Sequence, residues 1–210
     1  MADARPMVYI VDDDESVRDA ISNLLESVGL RSKVFASTEA FWKAARPDAP
    51  SCLVLDVRLP GASGVEFQET LIKSGMSIPI IFITAHGDVR MTSRVMKAGA
   101  IEFLMKPFQK EELLAAIHHG LERDRIRRVE EAEISALQSR VEQLTQRERE
   151  VMDLVVTGLI NKEIGAQLGL SEVTVKIHRS RVMQKMEAAS LAELVRMADK
   201  LKPRSQAVQR

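Results

Sequence analysis

A doubly wound parallel α/β domain followed by an all-α domain is the fold the sequence predicts, and three observations carry it. Short apolar runs recur through the first half, each ending at a polar side chain. A long stretch without helix breakers follows, with no Gly from Leu121 to Thr157 and no Pro from Phe108 to Lys202. From Leu144 onward come closely spaced helix-capping signals, each opening a short helical segment.

The apolar runs come first. Tyr9-Ile10-Val11 leads into Asp12-Asp13, Leu53-Val54-Leu55 into Asp56, Ile80-Ile81-Phe82-Ile83 into Thr84, and Phe103-Leu104-Met105 into Lys106. Alternating with helical segments, such runs read as buried parallel strands. In sheets of this kind the functional crevice lies outside the carboxyl ends of the strands. Three carboxylates, a hydroxyl and an amine are therefore gathered at one place. One Asp at a strand end can simply cap a loop or helix, but five such positions together read as a site. Asp14, by contrast, reads as the N-cap of an amphipathic helix from Glu15 onward.

Charge then dictates the chemistry. Three carboxylates within a few ångströms repel one another, and a hard divalent cation with oxygen ligands relieves the repulsion. Mg²⁺ fits best, because it takes one or two carboxylates, waters and phosphate oxygens. Lys106 and Thr84 beside such a cation suit phosphoryl transfer, with Asp56 placed to become an aspartyl phosphate.

Val11-Asp12-Asp13-Asp14, Leu55-Asp56-Val57-Arg58-Leu59-Pro60-Gly61, Ile83-Thr84-Ala85-His86 and Lys106-Pro107-Phe108 together resemble the receiver domain of two-component response regulators. Four separated motifs in order make the resemblance specific, and it covers roughly residues 1–120. It implies a flavodoxin-like fold with a five-stranded parallel sheet in the order 2-1-3-4-5. It also implies that Asp56 is the phosphoacceptor and that Asp13 binds the metal directly, with Asp12 acting largely through water. Asp56 itself and the backbone carbonyl of Arg58 complete the protein ligands. Thr84 would be the switch hydroxyl and Lys106 the cation that pairs with the phosphoryl group. Phe103 matches the aromatic switch position, although plain core packing explains it equally well. Ala85 is small and keeps the approach to Asp56 open. Proline stops the strand after Lys106; the resemblance implies a cis bond there, which the sequence permits at a cost of about 0.5–1 kcal/mol.

After Gln109-Lys110-Glu111-Glu112 a helical pattern runs through Leu113, Ile117 and Leu121. Ile134, Leu137, Val141 and Leu144 then form an a/d seam of two heptads, with Ile126 and Val129 out of register. Residues 121–143 read as a helical linker extending the last receiver helix. Two heptads are too short to be stable alone, so the seam is a solvated helix or pairs with a partner or a receiver surface. Residues 144–210 form the last domain. Thr145 with Glu148 makes a capping box for a helix ending near Gly158. Asn161-Lys162-Glu163-Ile164 opens a second helix ending at Gly169, and Ser171 caps a third from Glu172 to about Met186. Two short helices joined by a tight Gly turn form a helix-turn-helix.

At about 100° per residue, Val175, Arg179, Val182 and Met186 share the core side of the third helix, with the Arg179 head reaching past the edge. Val173, Ile177, Ser180 and Gln184 share the other, flanked by Lys176 and Arg181. That mixture suits a major groove, and it also suits an ordinary polar face. The order Leu144-Thr145, Arg147-Glu148, Glu150-Val151, Asn161-Lys162-Glu163-Ile164 and Thr174-Val175-Lys176-Ile177-His178 resembles the four-helix DNA-binding domain of the LuxR/NarL family over about residues 143–200. By matching position, Lys176, Ile177 and Ser180 would face bases, with Val173 on the same face. Lys162, Thr174, His178 and Arg181 would hold the backbone. Ile160 stands where relatives commonly place Ser or Thr, a poorer cap by about 1 kcal/mol.

The whole chain resembles FixJ-type response regulators. The implied function is a phosphorylation-controlled transcription regulator, read as an activator, and not an enzyme. Its implied partners are promoter DNA, a sensor histidine kinase, RNA polymerase and, on phosphorylation, a second copy of itself. Dimerisation in the family uses the surface between the helix expected at 88–97 and the helix from Gln109.

Composition agrees. The chain has 210 residues, 45% of them hydrophobic, which supports one good-sized domain and a smaller one. Residues 1–120 hold 13 Lys/Arg against 16 Asp/Glu, and residues 145–210 hold 12 against 8, so the basic half is the one suited to a polyanion. The single cysteine, Cys52, lies in an apolar run and reads as a buried, inert thiol. No basic leader with an apolar stretch begins the chain and no apolar run approaches about 18 residues, so a soluble, cytoplasmic protein with no membrane partner is expected. Asp-x-Asp phosphohydrolases place a second Asp where this chain has Arg58. A small-signal LuxR receptor needs an aromatic-lined pocket, and the chain is only 4% aromatic. A receiver that binds DNA without phosphorylation, or one that releases an inhibitory domain contact, remains an alternative to dimerisation.

Overall fold

The computed structural model describes residues 5–85 and 89–202. His86 of the third receiver motif, and the start of the helix expected at 88, lie outside the described residues. Two compact units divide the chain, Met1–Arg128 and Val129–Arg210.

The first unit is built from β1 (Met7–Val11), α1 (Glu15–Ser27), β2 (Arg31–Phe35), α2 (Thr38–Lys43), β3 (Ser51–Asp56), β4 (Arg58–Leu59), β5 (Ala62–Ser63), α3 (Gly64–Lys73), β6 (Ile80–Thr84), α4 (Val89–Lys97), β7 (Glu102–Met105) and the first part of α5 (Lys110–Glu142). The five main strands form one parallel sheet in the order β2-β1-β3-β6-β7, the expected order once the small antiparallel β4–β5 pair is set aside. Every residue of β1, β3 and β6 is buried, as strands covered on both faces must be. Tyr9, Val11, Leu53, Leu55 and Phe82 point into one layer with Phe41, Phe67 and Leu71 of α2 and α3. Ile10, Val54, Ile81 and Ile83 point into the other, against Ile21 and Leu25 of α1 and Leu113 and Ile117 of α5. Edge-on contacts of Phe41 with Tyr9 and Phe67, at 5.4 and 5.8 Å between ring centres, knit the first layer. Cys52 is buried as expected, and burial pushes its thiol pKa up.

Asp124 closes the amino end of the sheet. Its buried carboxylate accepts the backbone N–H of Ser51 at 2.9 Å and hydrogen bonds from Arg127 and Arg128. The strand carrying Asp56 at one end is thus tied to α5 at the other.

The second unit comprises the rest of α5 with α6 (Gln146–Val155), α7 (Asn161–Leu168), α8 (Glu172–Met186) and α9 (Leu191–Leu201). Thr145 and Glu148 form the expected capping box, and Lys185 pairs with Glu148 at 2.6 Å. Ile160 makes no side-chain cap, but Glu163 reaches back to its N–H at 2.9 Å, which preserves half of a capping box. Gly169 ends α7 at φ +67°, a conformation in which a side chain is strained. Val175, Val182 and Met186 of α8 are fully buried with Val151, Ile164 and Leu194.

The apolar seam differs from expectation. Leu137 and Leu144 are buried in the core of the second unit and Val141 packs against it, alongside Met197 and Leu201 of α9. Three of the four seam residues thus pack inside their own unit, while Ile134 is half-buried outside that core. Ile126 and Val129, the out-of-register pair, are about half exposed. Residues 121–143 are therefore divided: Asp124 and Arg128 bond the first unit, while Leu137 and Val141 belong to the core of the second. Among the described residues no helix is long and apolar enough to cross a membrane.

Candidate functional site

Asp12, Asp13, Asp56, Thr84 and Lys106 all lie at or just beyond the carboxyl ends of β1, β3, β6 and β7. Carboxylate oxygens of Asp12, Asp13 and Asp56 lie within 4.8 Å of one another. Lys106 reaches in from the far side of β6, its Nζ 2.6 Å from Asp12 Oδ2 and 3.3 Å from Asp56 Oδ1. The backbone N–H of Arg58 donates to Asp56 Oδ2 at 3.1 Å, so the turn after β3 holds the carboxylate by its other oxygen. Thr84 is fully buried, and its carbonyl accepts the N–H of Lys106 at 2.8 Å. The Lys106–Pro107 bond is cis. Phe103 is half-buried against the aromatic layer of the core.

Burial is the main reason that the Asp56 carboxyl lies above the usual carboxylate range; Lys106 opposes the shift and Asp12 adds to it. For Lys106, burial pulls the ammonium down, but the hydrogen bond and charge of Asp12, with those of Asp56, outweigh it and the net shift is upward. Three carboxylates against one ammonium leave the cluster electron-rich. An all-oxygen donor set of this size fits a hard divalent cation. Asp12 has both oxygens engaged, one by Lys106 and one by the N–H of Asp14 at 3.0 Å. Asp13 is exposed at the mouth.

Two supports were missed in the sequence. Gly64 opens α3 directly beneath Asp56, and a Cβ there would stand 2.4 Å from the Asp56 carbonyl oxygen. Only glycine allows α3 to start that close to the strand. Its signal was the Ser63-Gly64 pair, with Ser63 as N-cap. Arg18 of α1 donates from Nη1 to the backbone carbonyls of both Asp12 and Asp13.

In the second unit α8 displays Val173, at 69% exposure, with Lys176, Ile177, Ser180 and Arg181 exposed on the same helix. Lys162 is exposed on α7. Thr174 and His178 are half-buried; the Thr174 hydroxyl lies 2.8 Å from that of Ser171, and His178 Nδ1 is buried without a hydrogen-bond partner among the described residues. Arg179, as expected, leaves the core edge and donates to Asn161 at 3.1 Å.

Comparison with known proteins matches both units. Residues 8–118 match the response regulator receiver domain family, and residues 142–198 the bacterial regulatory proteins of the luxR family. Nodulation protein W of Bradyrhizobium diazoefficiens is 50% identical over 95% of this chain and 88% of its own length. The transcriptional regulatory protein FixJ of Azorhizobium caulinodans is 44% identical over 91% of this chain and 90% of its own. The solved structure of the response regulator StyR superposes with a TM-score of 0.83 at 49% identity, covering 94% of this chain and all of StyR. The chain belongs to the two-component response regulators that join a receiver domain to a LuxR-type DNA-binding domain.

Proposed function

We propose that Asp56 accepts a phosphoryl group from a sensor histidine kinase, and that the modified chain pairs with a second copy and binds promoter DNA. The observation that carries this reading is the convergence of three carboxylates within 4.8 Å, with Lys106 3.3 Å from Asp56. In the transfer, the P–N bond of a phosphohistidine breaks as a P–O bond to an Asp56 oxygen forms, and the imidazole leaves. Asp13, Asp56 and the Arg58 carbonyl would hold Mg²⁺, and the doubly engaged Asp12 would act through water. Bound there, the ion neutralises charge on the transferring group and orients its oxygens. Lys106 supplies the remaining positive charge on the other side of Asp56.

The phosphoryl group adds about −1.5 to −2 charges at Asp56. Lys106 and the Thr84 hydroxyl turn toward it, and Phe103, only half-buried, moves into the space that Thr84 leaves. That motion alters the surface between α4 and α5, where two copies pair. Pairing brings two DNA-binding units to successive half-sites and raises affinity through effective concentration, without any new contact to DNA. On DNA, Val173, Lys176, Ile177 and Ser180 meet base edges, while Lys162, Thr174, His178 and Arg181 meet phosphates. RNA polymerase is the onward partner of the bound dimer, which acts as an activator.

The experiment is incubation of the full chain with acetyl phosphate and Mg²⁺, followed by intact mass, sedimentation and DNA binding. The expected result is one phosphoryl group, a dimer and tighter DNA binding. A phosphorylated chain that binds DNA fully while still sedimenting as a monomer would refute the dimer mechanism and favour release of an inhibitory contact.

A further inference from the structure

Asp12 and Asp13 sit where β1 leaves the sheet. Asp12 N–H still bonds the Phe35 carbonyl at 3.2 Å, the last rung of the ladder to β2. Beyond it, the carbonyls of Asp12 and Asp13 need partners from elsewhere. Arg18, one turn into α1 and partly buried, supplies both. Its Nη1 donates to the Asp12 carbonyl at 2.8 Å and to the Asp13 carbonyl at 2.9 Å. A charged donor makes these bonds stronger than ordinary backbone pairs.

Around this clamp the turn is fixed at every step. Asp14 N–H holds Asp12 Oδ1, and Asp14 Oδ1 accepts both the N–H and the hydroxyl of Ser16, at 2.9 and 2.6 Å. The Asp13 carboxylate is the exception. Among the described residues no hydrogen bond or ion pair holds it, so its direction follows from the backbone that Arg18 grips.

We propose that Arg18 is the positioning residue of the cation site, fixing the Asp12–Asp13 backbone so that the Asp13 carboxylate is aimed at the cluster before any ion binds. Arg18 touches neither the ion nor the phosphoryl group; it acts through the two carbonyls. The inference rests on the Mg²⁺ reading given above. Groups that orient metal ligands from outside typically change metal affinity by about 10–100-fold when removed. Their loss weakens binding more than it slows the step at saturation.

Three full-length chains test it: wild type, Arg18→Met, which keeps the apolar stem, and Arg18→Lys, which keeps a cation able to donate to carbonyls. Mg²⁺ affinity is read by calorimetry without phosphodonor, and unfolding is followed in EDTA. Acetyl phosphate labelling rates are measured across Mg²⁺ concentrations. Arg18→Met should bind Mg²⁺ about tenfold more weakly, yet label within about twofold of wild type at saturating Mg²⁺. Arg18→Lys should recover part of the lost affinity. Wild-type affinity in Arg18→Met would overturn the role of Arg18, as would loss of affinity and saturating rate together with a collapsed unfolding midpoint in both variants. Absence of Mg²⁺ binding to the wild type would instead overturn the metal reading on which the inference stands.

Discussion

Lys106 Nζ lies 3.3 Å from Asp56 Oδ1, so the carboxylate proposed as acceptor already has a cation at hand at the bottom of the cluster. The same ammonium is 2.6 Å from Asp12, and the closer bond marks Asp12 as its principal anchor. Even so, burial keeps the Asp56 carboxyl above the usual range. An acceptor kept short of full neutralisation retains the electron density that a nucleophile needs.

That imbalance predicts the behaviour of Asp56→Asn. A carboxyl whose folded pKa is raised above its unfolded value of about 3.9 costs stability once pH exceeds that value. Asp56→Asn should therefore unfold at a higher temperature than wild type at pH 7, by about 4 °C for each kcal/mol relieved. The gap should close as pH falls below about 3.9, where Asp56 is protonated in both states. The variant should also gain no phosphoryl group. An Asn variant labelled at the wild-type rate would remove Asp56 from the acceptor role.

Thr84→Ala separates acceptance from response. Its hydroxyl stands at the end of β6, and the Thr84 carbonyl still holds the Lys106 N–H whatever the side chain. The variant should accept phosphate from acetyl phosphate yet fail to dimerise, as sedimentation would detect. A phosphorylated Thr84→Ala chain that dimerises as tightly as wild type would rule out the switch role.

On DNA, exposure divides the expectations. Ile177, about half exposed on α8, and Lys176 should confer sequence preference, so Ile177→Ala and Lys176→Ala should narrow the gap between specific and random DNA. Lys162→Ala should weaken both alike and flatten the salt dependence by about one counterion. Competition titrations at two salt concentrations check both. Equal losses on both DNAs from Ile177→Ala would exclude base reading by that side chain.

Glu148 should make the second unit acid-sensitive. Its carboxyl lies below the usual range, chiefly because Lys185 donates to it at 2.6 Å. The stabilisation is fully present above the unfolded pKa of about 4.3 and is lost as pH falls through the lower folded value. Glu148→Gln keeps an acceptor for the Thr145 N–H but loses the charge. It should destabilise the unit by roughly 1 kcal/mol at pH 7, with the difference shrinking in acid. Thermal unfolding at pH 7 and pH 3 measures this.

The central strands and α8 were legible for the same reason: burial fixes their pattern. β1, β3 and β6 are covered on both faces, so their residues are nearly all apolar and announce themselves. β2, Arg31-Ser32-Lys33-Val34-Phe35, lies at the sheet edge, and only Phe35 of its residues is buried. No apolar run marks it, and only the family resemblance implied a fifth strand. Within the site, the ionisable residues stood out because their chemistry is unusual at strand ends. Arg18 and Gly64 did not, since each acts on backbone atoms of the turns, and a backbone partner leaves no mark in residue type or periodicity. The helical seam showed three residues of the second core, Leu137, Val141 and Leu144, without naming what they pack on, because periodicity reports that a face is buried without saying against what.

Leu137, Val141 and Leu144 lie upstream of the Thr145–Glu148 capping box, yet they line the second core. Any exchange of DNA-binding modules between relatives therefore has a natural junction, and it is not at the start of α6. A graft beginning at Thr145 would remove Leu137, Val141 and Leu144 from the core that holds Val151, Val182 and Leu194. A crossover between Arg128 and Ile134 would carry the missing wall with it, and chimaeras spliced there should inherit a complete hydrophobic core.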